Sequence, residues 1–406
     1  MGREESSGST QVKQAVILAA GKGEQLYPLT SLKPKVMLPI SNKPILQYVI
    51  EALVTNSIKD IIIVVGYYRE QVQDYFGSGK RFGAQIRYTT QDHQLGTGHA
   101  LLCAKGMTQD KFLVLPGDNI ITSATIQELV CATQNTVLIS RWHWPGFGDA
   151  RYGAVLIHKG QVHSFLGKPP ELDGSWINTG TYLLNDSIFD HLPGELELPL
   201  AIESMIHSGS IFAPQQTSLP AWWDAVRPWD LLRLNGLVLG QLREEFEGTR
   251  EPSVVIKGNV QIAKTSVIRA NSYILGPVVI GEGCEIGPSV VIYPCTSIGN
   301  NVMIDSFTQL RNCILGNSIQ IGSHTHMSST IVADGCTLGP RLTAPDGKVI
   351  FSQMPPIIDN VGAIIGDNAE IGANVTMRPG LLVGPEAQIR EMNQIRENVP
   401  AGSVVV

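Results

Sequence analysis

Near the N-terminus the chain gathers residue types that handle anions. The apolar run 15–20 ends in Gly21-Lys22-Gly23, and Gln25, Pro28, Thr30 and Lys33-Pro34-Lys35 follow. Glycines directly after a strand let backbone N–H groups approach a phosphate, and the lysines add charge. The spacing is not the dinucleotide fingerprint, because Leu26 stands where the third glycine of G-x-G-x-x-G belongs. Nor is it a Walker loop, since G-K-[ST] is missing at the required place. An isolated aspartate after a strand is ordinarily a helix cap and an isolated lysine a solvated face, so any chemistry rests on the combination.

Those residues need a scaffold, and the first half supplies alternating strands and helices. Runs 15–20, 60–65, 85–90 and 112–115 read as strands; 45–54, 69–76 and 99–105 carry helical spacing. Such alternation gives βαβ units and a mostly parallel sheet, whose ligands bind at the carboxyl ends of the strands. Residues 228–246 have helical spacing and form a connecting helix. The first domain is expected over 13–250, after a frayed polar tail at 1–12.

From about residue 252 the period changes. Every sixth position from Ile256 is aliphatic: Ile262, Ile268, Ile274, Ile280, Ile286, Ile292, Ile298, Ile304 and Leu310, with a return at Ile365, Ile371, Met377, Val383 and Ile389. A six-residue repeat is one face of a triangular coil whose aliphatic side chains stack inward. The glycines after Ile280, Ile286, Ile298, Ile365 and Ile371 read as corner residues. A β-sandwich would show period two instead. Residues 251–406 are therefore expected as a left-handed parallel β-helix, with a loop thrown out between Arg341 and Gly362.

Of 406 residues 43% are apolar and 16% charged, which suits two packed cores. The net charge of -6 lacks the basic footprint of a nucleic-acid binder. No apolar run is long enough to span a bilayer, and no secretory signal is read in the polar first ten residues. The six cysteines form no CxxC pair, so a cytoplasmic protein with free thiols is expected and no membrane partner.

The stretch LAAGKGEQLYPLTSLKPK resembles the G-x-G-[TE]-R-x-x-P-x-T-x-x-x-P-K signature of the sugar-1-phosphate nucleotidyltransferase family. QDHQLGTGHA, PGDN, Tyr152-Gly153, Lys168-Pro169, Asn178-Thr179-Gly180 and Trp223-Asp224 follow in the family's order, and LKPKVMLPISNKPILQYVIEAL is similar to the archaeal bifunctional pyrophosphorylase/acetyltransferase branch. The resemblance implies a Rossmann-like α/β nucleotidyltransferase domain ahead of the β-helix. It implies catalytic roles for Lys35, Asp118 and Lys168, and nucleotide binding by Ala20, Gly21, Gly23, Gln25, Gln91, Gly96 and Thr97. Gly153 and Asn178 would hold the sugar, and Asp118 and Asp224 a Mg2+ ion. The partners implied are a nucleoside triphosphate, UTP or dTTP, and a hexose-1-phosphate, N-acetylglucosamine-1-phosphate or glucose-1-phosphate, in a homo-oligomer that trimerises through the β-helix.

The chain departs from the pattern in two places. Gln25 replaces the arginine of the signature and Gly167 the glutamate of E-K-P, so Lys22 or Lys33 would have to supply the missing charge. In the β-helix the acetyltransferase histidine position falls on Ser323, one residue from His324; His324 or His326 could act as base, with acetyl-CoA as cosubstrate, only with a shifted coil. Two alternatives follow: a paralogue that binds nucleotide sugar as a regulatory subunit, and a glucosamine-1-phosphate acetyltransferase working through the second domain.

Overall fold

A computed structural model describes residues 12–141, 153–167, 175–217, 221–349 and 358–406. The tail expected at 1–12 lies outside them but for Val12, as do Tyr152 and Lys168. Two compact units result: Met1–Lys22 with Ile45–Asp224, and Gly23–Pro44 with Ala225–Val406.

The first unit is built on β1 (Gln14–Ala19), β2 (Asp60–Val65), β3 (Gln85–Thr90) and β4 (Lys111–Pro116). They run parallel in the order β3-β2-β1-β4, with Gln14 opposite Asp60 and Ala19 opposite Val65. Ile61 to Val65 are all buried, which is why β2 reads as unbroken apolar sequence: a parallel strand is covered on both faces. Helix α1 (Ile45–Thr55) buries Ile45, Leu46, Val49, Ile50 and Leu53, the three-and-four spacing of an amphipathic helix. Helices α2 (Arg69–Phe76) and α3 (Thr97–Leu102) flank β3 in sequence. α3 ends earlier than the helical spacing at 99–105 suggests and begins two residues sooner.

Two further devices position functional residues. After β5 (Asn119–Ile121), strands β6 (Asn135–Arg141), β7 (Ala154–His158), β8 (Gln161–Leu166) and β9 (Trp176–Asn185) extend the sheet, with β9 antiparallel to β4 and to β6. β10 (Phe212–Thr217) closes that edge parallel to β6, and β11 (Trp222–Asp224) pairs antiparallel with β5, setting Asp224 opposite Asn119.

In the second unit α4 (Pro228–Leu239) starts where Asp230 accepts the N–H groups of Val226 and Arg227, with proline at the first turn. It stops before Gly240, short of the helix read to 246, because Glu245–Phe246 already pairs with Gln261–Ile262 as a rung of the coil. The coil is a left-handed parallel β-helix of three ladders, each strand pairing with the third one on. Its inward residues repeat every eighteen along each ladder, as in Ile256 opposite Ile274 and Ile280 opposite Ile298.

Two sequence expectations need correction. Beyond Leu310, within the span expected for the coil, Leu315, Ile321, Met327, Val332, Leu338 and Ala344 continue the same buried core. Two turns are five residues long, from Leu310 to Leu315 and from Met327 to Val332, so the ladder shift drops to seventeen and a strict sixth-position reading loses step. The excursion begins only after Ala344, where Gly347–Val349 pairs with Ile358–Val361. Nor do the glycines make the corners. Left-handed φ values fall mainly on other residues, among them Asn271, Ser289, Asn301, Phe307, Asn312, His324, Asn368 and Asn374. Gly281 is glycine because a Cβ there would stand 2.6 Å from the Gly299 carbonyl of the next rung.

Candidate active site

In the first unit the candidate residues collect at the carboxyl ends of β1 to β4, where a parallel sheet offers free backbone groups. Ala20 is buried and its carbonyl accepts the Tyr67 N–H, while a Cβ on Gly21 would meet nothing within 4 Å. Space therefore lies open beside Gly21. Lys22 stands 5.8 Å over the Tyr67 ring.

Gln91 is buried just past β3, with its N–H bonded to the Val65 carbonyl. Its Nε2 donates to the Gly96 carbonyl at 3.0 Å and lies 2.9 Å from His99 Nδ1. Both amide protons are thus directed into the protein, and Oε1 is the end left to accept. Gly96 has φ 135°, and a Cβ there would come within 2.4 Å of the Leu196 carbonyl, so no other residue fits. The Thr97 hydroxyl donates to Glu197 at 2.8 Å and accepts the Leu198 N–H at 2.9 Å. It braces the loop rather than facing outward.

Gly117 N–H donates to Leu18 O, which fixes the turn carrying Asp118. β11 sets Asp224 opposite Asn119, and Asp118 is the residue before Asn119, in the turn that leads into β5. Two carboxylates are hard oxygen donors suited to Mg2+, which takes one or two of them beside water and phosphate oxygens. No cluster of three or more metal-binding side chains occurs among the described residues. The donor set fits this cation better than zinc, whose structural sites want four side chains. Gly153 accepts the Asn178 N–H at 2.9 Å. Asn178 in turn donates to the Tyr182 hydroxyl at 2.6 Å and accepts the Gly180 N–H at 3.1 Å. Burial pushes the Tyr182 phenol well above its ordinary pKa, which keeps it neutral as a partner for Asn178. Asn119 Nδ2 donates to Thr179 O, tying this strand end to the Asp118 turn.

The rest of the signature, Gly23 to Lys35, belongs to the second unit. Gly23 sits at φ +70°, and a Cβ there would lie 2.7 Å from Lys35 Cβ and 3.3 Å from Thr30 Cγ2. Its carbonyl accepts both the Leu26 N–H and the Thr30 hydroxyl at 2.9 Å. The signature threonine is thus a brace that closes the loop. Gln25 is exposed in a short helical turn, and Lys35 opens the turn Lys35–Met37.

Lys33 is not available to replace the arginine missing at Gln25. Its Nζ lies 2.6 Å from Asp334 and 2.9 Å from Asp367. Burial opposes its charge, but the two carboxylates outweigh burial and hold Lys33 above the ordinary lysine pKa. Asp367 is itself held above the usual carboxylate range by burial, against the pull of Lys33. No local pattern announces this triad, because Lys33 lies about three hundred residues from the two aspartates. Of the histidines, His324 occupies a corner at φ 59° and is exposed, its ring stacked 4.9 Å from Phe307 one rung away. His326 opens the strand His326–Ser328 between Gln309 and Thr343.

A sequence model of the nucleotidyl transferase family matches residues 14–214, and one of the GMPPB C-terminal domain matches 274–354. The chain is 34% identical over 395 residues to the bifunctional protein GlmU of Methanococcus maripaludis, covering 92% of each chain. It is 31% identical to the protein of that name in Methanocaldococcus jannaschii, over 96% of this chain and 97% of the relative. A bifunctional sugar-1-phosphate nucleotidylyltransferase/acetyltransferase of Sulfurisphaera tokodaii is 30% identical, over 93% and 95%.

Proposed function

Because the chain belongs to the sugar-1-phosphate nucleotidyltransferase family, we propose that it joins UTP or dTTP to N-acetylglucosamine-1-phosphate or glucose-1-phosphate with the help of Mg2+. A phosphate oxygen of the sugar-1-phosphate bonds to the α-phosphorus, the bond from that phosphorus to the α–β bridging oxygen breaks, and pyrophosphate leaves with that oxygen. Two anions must meet, so the barrier is largely charge repulsion and alignment.

Each residue has a physical task in this reading. Backbone groups at Ala20, Gly21 and Gly23 receive the triphosphate, with Gln25 and Lys22 beside them. Lys35 stabilises charge on the α-phosphate. Asp118 and Asp224 hold the divalent cation, which when bound would screen the charge gathered between the two phosphates. Gly153 and Asn178 hold the sugar, and Lys168 neutralises its phosphate. Gln91, with the backbone around Gly96 and Thr97, reads the base edge.

The observation that carries the base assignment is the orientation of Gln91. With Nε2 turned to Gly96 and toward His99, Oε1 accepts, and it matches a ring N–H. Uracil and thymine carry that donor at N3, and guanine carries one at N1; cytosine and adenine present an acceptor at the corresponding ring nitrogen. Purified protein with Mg2+, the four ribonucleoside triphosphates and dTTP, and a set of sugar-1-phosphates should release pyrophosphate fastest with UTP or dTTP. Release confined to CTP or ATP would overturn the base assignment, and no release with any pair would overturn the activity.

A further inference from the structure

The loop from Gly23 to Pro44 is fastened along one edge of the β-helix. Asn42 Nδ2 donates to Ile298 O at 2.6 Å, and Ser41 N–H donates to Asn235 Oδ1, whose amide nitrogen donates to Cys295 O. Farther along, Lys33 meets Asp334 and Asp367, and the Tyr27 hydroxyl lies so close to Gly384 that a Cβ there would be 2.7 Å away. Ile298, Leu315, Val332, Ile365 and Val383 stack in one ladder, and these contacts fall on or just after its rungs. Four rung intervals of about 4.8 Å put the fastenings along roughly 19 Å of the coil.

The ion triad is the polar centre of that seam. Asp334 and Asp367 occupy equivalent places on successive rungs, and the Asp334 N–H approaches Asp367 Oδ1 at 3.3 Å. Like charges stacked this way repel, and Lys33 lies between them. Asp334 is further held by Asn317, whose N–H donates to its Oδ1 at 2.7 Å. Asp367 is only 4% exposed, and its Oδ2 is buried without a partner. Well-packed apolar groups would serve stability at least as well as such a cluster, so its use lies in fixing one register of the loop on the coil. Lys35 follows Lys33 by two residues with Pro34 between them, and its Cβ packs where Gly23 leaves room. Little slack separates the fastened lysine from the one read as the α-phosphate ligand.

We propose that Lys33, Asp334 and Asp367 position the reactive loop for nucleotidyl transfer, so that the β-helix serves the first reaction as the mount that sets the place of Lys35. Lys33 is a positioning residue and touches no substrate. The inference rests on the reading of Lys35 given above.

The test compares the full-length wild type with Lys33→Met, Lys33→Arg, Asp334→Asn/Asp367→Asn and the triple variant of Lys33→Met with both asparagines. Pyrophosphate release, melting temperature and hydrogen exchange of residues 23–44 are read on each. Displacing a reactive group by about 1 Å costs on the order of a hundredfold. Lys33→Met and the double asparagine variant should therefore each lower kcat by about 10–100-fold, with KM for the sugar-1-phosphate within about twofold. The triple variant should be no worse than either, because all remove the same link. Lys33→Arg should keep most of the rate. Exchange over 23–44 should quicken in the asparagine variant while the coil core stays protected. A double asparagine variant with wild-type kcat beside a crippled Lys33→Met would overturn the proposal, since Lys33 would then act on the phosphates directly. If the wild type itself releases no pyrophosphate, the reading of Lys35 fails separately, and unchanged exchange over 23–44 in the asparagine variant then overturns the fastening.

Discussion

Gly21 and Gly23 are two residues apart, yet alanine should do different things at each. At Gly23 the backbone is left-handed at φ +70°, which costs a non-glycine residue roughly 1–2 kcal/mol. The new Cβ would also lie 2.7 Å from Lys35 Cβ. Carbon atoms prefer about 3.5–4.0 Å, so the loop has to yield by about 1 Å, and the atom that moves belongs to the residue read as the α-phosphate ligand. A misplacement of that size costs on the order of a hundredfold in rate. Gly23→Ala should thus lower kcat for pyrophosphate release about a hundredfold and lower stability by roughly 1–2 kcal/mol. Gly21 has no left-handed φ, and its Cβ would meet nothing within 4 Å. Gly21→Ala should keep the melting temperature and raise KM for the triphosphate, because only the ligand would meet the methyl group. Steady-state kinetics and thermal melts on both variants decide the matter. A Gly23→Ala enzyme with wild-type kcat, or a Gly21→Ala enzyme with unchanged KM, would refute the loop geometry argued here.

Three other outcomes follow from the same structure. Gln25→Arg restores a charged contact worth roughly 2–3 kcal/mol, so KM for the triphosphate should fall, and an unchanged KM would show that Lys22 already supplies the charge. Asp367 has a folded pKa raised by burial, so its protonated form is favoured in the native state. Stability from such a group is present below its unfolded pKa and is lost as pH rises through the folded one. The wild type should therefore gain stability relative to Asp367→Asn as pH falls from neutral toward about 4, read by denaturant melts at each pH. His324→Ala loses a stacked pair with Phe307 worth about 0.5–1.5 kcal/mol. It should leave pyrophosphate release within twofold of wild type, measured by the same assay.

The β-helix was legible because stacking forces each inward position to be apolar, from Ile256 to Ile389. The two five-residue turns escaped the strict count, since a shortened corner removes one residue without changing which side chain points in. Strands β1, β2 and β4 were legible as apolar runs; β6 to β11 lie outside the strand–helix alternation that was read, and β9 to β11 find their partners far along the chain. The two acidic residues show the limit most clearly. Asp224 comes opposite Asn119, the neighbour of Asp118, only through the pairing of β5 with β11, about a hundred residues apart in the chain, so the two carboxylates were linked by family resemblance alone. The hydroxyls of Thr30 and Thr97 bond within their own surroundings, to the Gly23 carbonyl and to Glu197, and no motif spacing announces either bond. The Lys33 triad left no local trace, because a salt bridge sets no periodicity in the chain.

The most direct measurement is pyrophosphate release by the wild type and by Asp118→Asn, side by side, with UTP, N-acetylglucosamine-1-phosphate and a Mg2+ titration. The account predicts Mg2+-dependent release by the wild type. It also predicts a loss of at least about a hundredfold in the variant, as expected when a ligand to a charge-stabilising cation is removed. Equal rates for the two proteins, or release that ignores Mg2+, would contradict it.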